Sequence, residues 1–139
     1  RNNANEFEKQ QQLHAPKWSG NYTMSYNFAK RWTVDLTGNL YGQMRLSILE
    51  NDFRPEYSPF YMLTNIQLTK SFKRFELYGG LKNIFNFIPK NPLIRPSDPF
   101  NTSVNDPINN PYGYTFDTAY NYAPLQGIRS FLGVRYTIR

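Results

Sequence analysis

Hydrophobic and polar residues alternate with a period of two along most of residues 16–49. The even-numbered positions from Trp18 to Phe28 and from Trp32 to Ile48 are apolar residues or glycine, whereas the odd-numbered positions between them are almost all polar. Side chains of a β-strand point alternately to its two faces, so each segment has one apolar and one hydrophilic face. The pattern predicts two strands, about 16–28 and 32–49, which are joined by a short turn at 29–31.

Three further segments show the same alternation and complete a chain that is predicted to be all-β. The segment 50–58 carries turn-forming and charged residues, and 88–125 contains seven prolines, so both are predicted to be loops. Short connections at 29–31 and 72–73 therefore alternate with long ones at 1–15, 50–58 and 88–125. The additional strands are predicted at about 59–71, 74–87 and 126–139.

The turns also predict how the strands pair. If Phe28 lies opposite Trp32, the register places Tyr22 over Gly38 and Trp18 over Gly42, so that a large ring covers each bare backbone segment. For the second hairpin we expect Phe75 opposite Lys70 and Leu77 opposite Leu68. Both registers keep apolar residues opposite apolar residues.

The length and the polar face of the strands indicate a membrane setting. A tilted transmembrane strand needs about 9–11 residues, and the second segment exceeds this. The polar face carries mainly Asn, Thr, Ser, Gln and Tyr, which suit a wet lumen, and aromatic residues are 17% of the chain. The chain contains no run of eighteen or more apolar residues, so no transmembrane helix is predicted. The fold class predicted is an antiparallel transmembrane β-barrel of the bacterial outer membrane, with periplasmic short turns and extracellular long loops.

Such a barrel has at least eight strands in a single bacterial chain. Five strands alone would leave two unpaired edges in lipid, where unsatisfied backbone groups are costly. We therefore expect residues 1–139 to form the C-terminal part of a larger barrel. The expected partners are the remainder of that barrel and outer-membrane lipid.

Other function classes are less well supported. The net charge of +6 is spread over turns, strands and loops, so no basic stripe predicts a nucleic-acid partner. His14 is the only histidine and Cys is absent, so no catalytic arrangement, and hence no enzyme, is predicted. Asp98, Asp106 and Asp117 match no compact calcium loop and are predicted to be turn and cap residues. No metal and no cofactor are expected.

Two motifs resemble a known family. The run Gly80-Leu-Lys-Asn-Ile-Phe-Asn86 resembles the penultimate strand of TonB-dependent outer-membrane receptors, and Tyr122–Tyr136 resembles their last loop and closing strand in Bacteroidetes-like members. One departure is Ile138, which stands where the family usually has a terminal aromatic. The resemblance implies a 22-stranded barrel with a plug domain, and import of haem, cobalamin, a ferric siderophore or an oligosaccharide. It also implies the TonB complex as a partner, through an N-terminal region outside this chain, and it is compatible with a surface lipoprotein.

Candidate site residues follow from this interpretation. Residues of the loops and lumen that are expected to bind the ligand are Arg45, Arg54, Tyr57, Arg95, Tyr112, Tyr114, Tyr120 and Tyr122. Tyrosine suits sugars, macrocycles and chelates because it combines a large ring with a polar tip. Charged residues expected on the lumen face are Asp35, Glu76, Lys82, Arg129 and Arg135. Among these, Arg135 is expected to approach Glu76, because charges in a narrow lumen need partners.

Two alternatives remain at this stage. One is an outer-membrane barrel without import activity, such as an adhesin or an assembly porin. The other is a soluble β-sandwich that binds carbohydrate. The apolar face, which includes Trp18, Leu36, Leu40 and Leu132, argues against the second alternative, since such a band would aggregate in water.

Overall fold

The computed structural model describes residues 11–138, which form one open antiparallel sheet of five strands. Each strand pairs with the next along the chain, in the order β1-β2-β3-β4-β5, and the described residues contain no helix. Accordingly, no helix in this part of the chain is long and apolar enough to cross a membrane. The predicted all-β class is confirmed. The strands are β1 (Ser19–Phe28), β2 (Trp32–Tyr41), β3 (Tyr61–Ser71), β4 (Phe75–Lys82) and β5 (Arg129–Tyr136).

The strands are shorter than the alternation predicts, most clearly in β2, which ends at Tyr41 instead of residue 49. Beyond it only isolated bridges form, such as Pro16 with Met44 and Arg45 with Tyr57. Met44 and Leu46 keep the alternation because both are buried beneath the loops, with 4% and 1% of their surface exposed. The alternation in 42–46 thus reflects burial against loops and not a continued ladder, whereas Ile48 is 43% exposed.

The first hairpin has the predicted register. Phe28 pairs with Trp32 and Tyr22 with Gly38, and the Gly42 amide donates to the Trp18 carbonyl at 2.9 Å. A side chain at either glycine would meet the ring of its partner. The aromatic cover over bare backbone is therefore confirmed at both positions.

The register predicted for the second hairpin is wrong by two residues. Lys70 pairs with Leu77 and Leu68 with Gly79, because the two-residue turn is Lys73-Arg74 and not Phe72-Lys73. The Phe72 amide donates to the Phe75 carbonyl at 2.8 Å, and their rings stack with centroids 4.2 Å apart. A shift of two residues leaves every side chain on its predicted face.

The register gives the sheet two unlike faces. Thr64 is a polar exception at the centre of the apolar face, where its hydroxyl is hydrogen-bonded to that of Tyr22. The apolar face carries Tyr22, Met24, Tyr26, Phe28, Trp32, Val34, Leu36, Leu40, Met62, Ile66, Leu68, Phe75, Leu77, Leu81, Leu132, Val134 and Tyr136. The opposite, polar face carries Asn21, Thr23, Ser25, Asn27, Thr33, Asp35, Thr37, Asn39, Asn65, Gln67, Thr69, Glu76, Lys82, Arg129 and Arg135.

Gly80 marks a point where β3 approaches β4 too closely for a side chain. A Cβ atom there would overlap the backbone carbonyl oxygen of Ile66, whereas at Gly20 the nearest atom would be Leu40 Cδ1, at 3.8 Å. We expect Gly80→Ala to lower the free energy of unfolding by about 1–3 kcal/mol, because the backbone must move. Gly20→Ala is the matched control and should change it little. Denaturant unfolding of the two variants measures the difference, and equal effects would contradict the close approach.

Candidate functional site

The two long connections, residues 42–60 and 83–128, lie at the end of the sheet opposite the short turns. Asn83 holds the start and the end of the second connection together. Its side-chain amide donates to the carbonyls of Phe87, at 2.8 Å, and Gln126, at 3.2 Å, and its carbonyl oxygen accepts from the Phe87 amide. Asn83 has φ of 53°, in the left-handed region that Asn adopts more readily than most residues. This Asn of the 80–86 motif therefore has a structural role.

A small core of aromatic residues lies where both connections meet the sheet. Tyr61 is sandwiched between Tyr41 and Phe87, with ring centroids at 4.8 and 4.7 Å, and its hydroxyl donates to the Tyr122 carbonyl. The core cluster comprises Met44, Leu46, Tyr61, Tyr120 and Ala123. This packing fixes the loops onto the strands.

Arg54 lies inside this region and links the two connections. Its guanidinium binds Asp52 at 2.7 Å and forms a second, short ion pair with Asp117, and it stacks on the Tyr120 ring with its central carbon 4.0 Å from the centroid. The Tyr120 hydroxyl in turn donates to the Pro55 carbonyl at 2.9 Å. Asp52, Arg54 and Asp117 are called the buried ion cluster below.

The cluster shifts the ionisation of its members. Burial opposes the charged form of Asp52, but hydrogen bonds from the Arg54 side chain and from the Arg54 and Leu49 amides outweigh it and lower the pKa. Burial likewise opposes the charge of Arg54, and the bonds to Asp52 and Asp117 outweigh it and raise the pKa. Asp52 and Arg54 are therefore ionised at neutral pH, and the Arg54 guanidinium bonds to the side chains of both aspartates.

Aspartates also order the outer part of the long connection. Asp98 accepts hydrogen bonds from the Thr102 hydroxyl and amide, the Arg95 side chain and the Ser103 amide, and these bonds hold its pKa well below the usual range. Asp106 accepts from the Ile108 and Asn109 amides. The prediction that these aspartates are turn and cap residues is confirmed. Within residues 11–138 no group of three or more His, Cys, Asp or Glu could hold a metal ion.

Three of the predicted ligand-binding residues are mostly enclosed by the loops. Arg54 and Tyr120 are 4% and 2% exposed, so they mainly support the loops from inside. Tyr122 is also largely engaged, since its ring lies against Tyr61 and Phe87 in the aromatic core. The reason is tertiary packing between distant loop segments, which polarity and local sequence do not encode.

The other predicted ligand-binding residues lie nearer the surface, in several places. Arg45 pairs with Glu56 at 2.8 Å, and Tyr57 lies beneath Lys17, with Nζ 5.8 Å from the ring centroid. Arg95 pairs with Asp98 at 2.9 Å, and the Tyr114 hydroxyl donates to the Asn51 carbonyl. Tyr112 is the most accessible, with 75% of its surface exposed. Of these five residues, Tyr57 alone shares a cleft with Arg54, Tyr120 and Tyr122.

A cleft lies between residues 53–59 and 85–91, and four of the predicted ligand-binding residues line it: Arg54, Tyr57, Tyr120 and Tyr122. Its volume is about 760 Å³, and the exposed rings of Phe53 and Phe85 lie on its wall together with Ile88 and Lys90. The cleft combines apolar walls with a few polar groups, as small-molecule sites do. Phe85 belongs to the 80–86 motif and Ile88 follows it, but nothing in the sequence indicates that residues 53–59 face them.

The charged residues predicted for the lumen share the polar face of the sheet. Arg135 Nη1 donates to Glu76 Oε2 at 2.9 Å, so this predicted contact is confirmed. Lys82 pairs with Arg129 in the register and lies over the Phe131 ring, and Asp35 accepts a hydrogen bond from Ser25 at 2.6 Å. A recess of about 360 Å³ opens between Asp35 and Lys82 on this face. The polar face thus carries both signs of charge.

Removing Arg54 should release the long connection. Arg54→Ala leaves Asp52 and Asp117 unpaired in a dry site, and breaking a buried pair costs about 3–5 kcal/mol. The matched control is Arg135→Ala, because its pair with Glu76 has similar length but a 71% exposed arginine side chain, so a loss of at most ~1 kcal/mol is expected. Hydrogen exchange of residues 88–125 measures the release. Unchanged protection in Arg54→Ala would contradict a linking role.

Comparison with known proteins adds no assignment to this geometry. Scans of the chain against protein-family models, curated proteins and solved structures each find no match.

Proposed function

We propose that this chain supplies five neighbouring strands of an outer-membrane β-barrel, and that the barrel is a TonB-dependent receptor which imports a scarce nutrient. The cargo classes are haem, cobalamin, a ferric siderophore or an oligosaccharide. The partners are the remaining strands and plug of the same barrel, the TonB complex, outer-membrane lipid and, at the cell surface, a lipoprotein.

The observation that carries the proposal is the sheet with two unlike faces. On one face large apolar side chains stand open, including Met24 at 64%, Leu132 at 79% and Val134 at 64% exposure. No other layer of the described chain covers them, because residues 11–138 form a single sheet. A face of this size is stable against lipid and prone to aggregation in water. The opposite face carries paired charges and amides, which suit a water-filled interior.

The loops support a role in capture at the cell surface. The buried ion cluster and the aromatic core hold residues 42–60 and 83–128 against each other, so the loops present a defined surface without a ligand. Preorganisation lowers the ordering cost of binding. The seven prolines in 88–125 also lower the ordering cost, because each fixes one backbone dihedral angle.

The single sheet argues against one alternative, and energy-dependent uptake distinguishes the other. A carbohydrate-binding sandwich needs a second sheet against the apolar face, and the described residues supply none. A barrel without import activity shares the sheet, and energy-dependent uptake distinguishes it from a receptor. The motif resemblance at residues 80–86 and 122–136 favours the receptor.

The facing of the strands can be tested by charge. Leu40 and Asn39 are neighbours in β2 on opposite faces of the sheet. A cation on the lipid side of a barrel costs about 2–4 kcal/mol near the midplane. Leu40→Arg should therefore reduce the amount of folded, heat-modifiable protein in the outer membrane far more than Asn39→Arg. Equal amounts of the two variants would reject the membrane orientation.

Ligand capture can be tested by removing the outer lobe, residues 103–114. The Phe116 amide donates to Asn101 Oδ1 at 2.7 Å, so the ends of this excision are already close, and Asp117 stays in the buried ion cluster. We expect the variant to fold and reach the outer membrane but to lose ligand binding and uptake, because Tyr112 and Tyr114 are removed. Thr115→Ala, which trims the residue on the other side of the excision, serves as the control. Full uptake by the lobe-deleted protein would contradict a role of residues 103–114 in ligand recognition.

A further inference from the structure

Five cations lie together at the short-turn end of the sheet. The amide of Ser71 donates to the Arg31 carbonyl at 2.9 Å, and Lys70 Nζ donates to the Lys30 carbonyl at 3.4 Å, so the first turn lies against the end of β3. The Thr137 amide donates to the Arg74 carbonyl at 3.0 Å, which brings the end of β5 to the second turn. These cations are called the basic rim: Lys30, Arg31, Lys70, Lys73 and Arg74.

The basic rim has no acidic partners in the described chain. None of its members forms an ion pair within residues 11–138, and four of them are exposed. The nearest carboxylate along the chain, Glu76, is bound by Arg135 and Ser71. The other end of the sheet is mixed in sign, with acids at Glu50, Asp52, Glu56, Asp98, Asp106 and Asp117. Five cations without a carboxylate partner in the described residues are thus gathered at one end.

Aromatic rings lie directly beside the rim on the apolar face. Lys70 Nζ is 4.6 Å from the Trp32 ring centroid, and Trp32 stacks with Phe28 at 6.2 Å. A recess of about 420 Å³ separates Lys73 and Arg74 from Tyr136 and Ile138. The order along the strands is apolar residues, then aromatic rings, then cations. This order matches the order of acyl chain, interface and phosphate in one leaflet of a membrane.

We propose that the basic rim binds the phosphodiester groups of anionic glycerophospholipids, with one headgroup seated in the recess beside Lys73 and Arg74. The inference rests on the proposed membrane location. Arg74 offers a forked donor and Lys73 a point charge to phosphate oxygens. The Tyr136 ring, which precedes the level of the cations on β5, lies at the depth of the glycerol, and Thr137 and Ile138 line the headgroup side of the recess. Short turns face the periplasm in bacterial barrels, so the leaflet is the inner one, which holds phospholipid.

The test uses the intact protein in vesicles of phosphatidylcholine that contain a minor fraction of phosphatidylglycerol. Native mass spectrometry counts the lipids that stay bound after detergent extraction. The variant is Lys73→Gln with Arg74→Gln, and the control is Lys17→Gln with Lys90→Gln, which removes the same charge at the loop end. We expect the preference for phosphatidylglycerol to fall about fivefold for each charge removed from the rim, and to be unchanged in the control.

The outcomes separate this inference from the proposed function. Absence of the protein from the outer-membrane fraction would overturn both. Insertion with equal retention of the two lipids, or equal loss of preference in the control, would overturn the lipid site alone. Displacement of phosphatidylglycerol by inorganic phosphate would show a free-anion site instead. In a second set of vesicles that also contain lipopolysaccharide, its preferential retention would place the rim in the other leaflet and would also reject the proposal. Heat modifiability on a gel verifies that each variant is folded.

Discussion

The structure depends on strict alternation of side chains combined with a fixed register between strands. A slip of one residue in any pair would exchange the amides and hydroxyls of one face for the aliphatic side chains of the other. The centre of the sheet shows how this register is held. The hydroxyl of Tyr22 reaches across Gly38 on β2 to Thr64 on β3, so three strands are joined by one ring and one hydrogen bond. The buried Thr64 is satisfied only in this alignment.

The short-turn end and the loop end of the sheet differ chemically. At the short-turn end, cations stand beside aromatic rings and no carboxylate neutralises them in the described residues. At the loop end, four ion pairs form within residues 11–138, and aromatic stacking replaces backbone pairing as the main source of order. Backbone hydrogen bonds thus determine the sheet, whereas side chains determine how each end interacts with its surroundings.

The period-two alternation of apolar and polar residues explains which features of the structure the sequence could and could not predict. Alternation encodes which residues share a face, so the strand faces and the first register follow from it. It cannot distinguish two registers that differ by two residues, and the stacking of Phe72 on Phe75 selects the one observed. Nor can it predict that Arg54, which lies in a polar loop, is buried by a segment more than sixty residues away. Contacts between loops depend on tertiary packing, which leaves no period in the sequence.

The hydrogen bonds of Asn83 and Asn86 place the two ends of the long connection beside each other. Asn83 bonds to Phe87 and Gln126, and Asn86 Oδ1 accepts from the Ile128 amide at 3.2 Å. The outer lobe between these points, residues 103–114, can change in length without moving β4 or β5, because Asp117, Tyr120 and Ala123 stay packed against the sheet end. Closing a longer loop adds only about 0.6 kcal/mol for each doubling of its length. The exposed chemistry of this lobe can therefore vary while the strands that carry it stay the same.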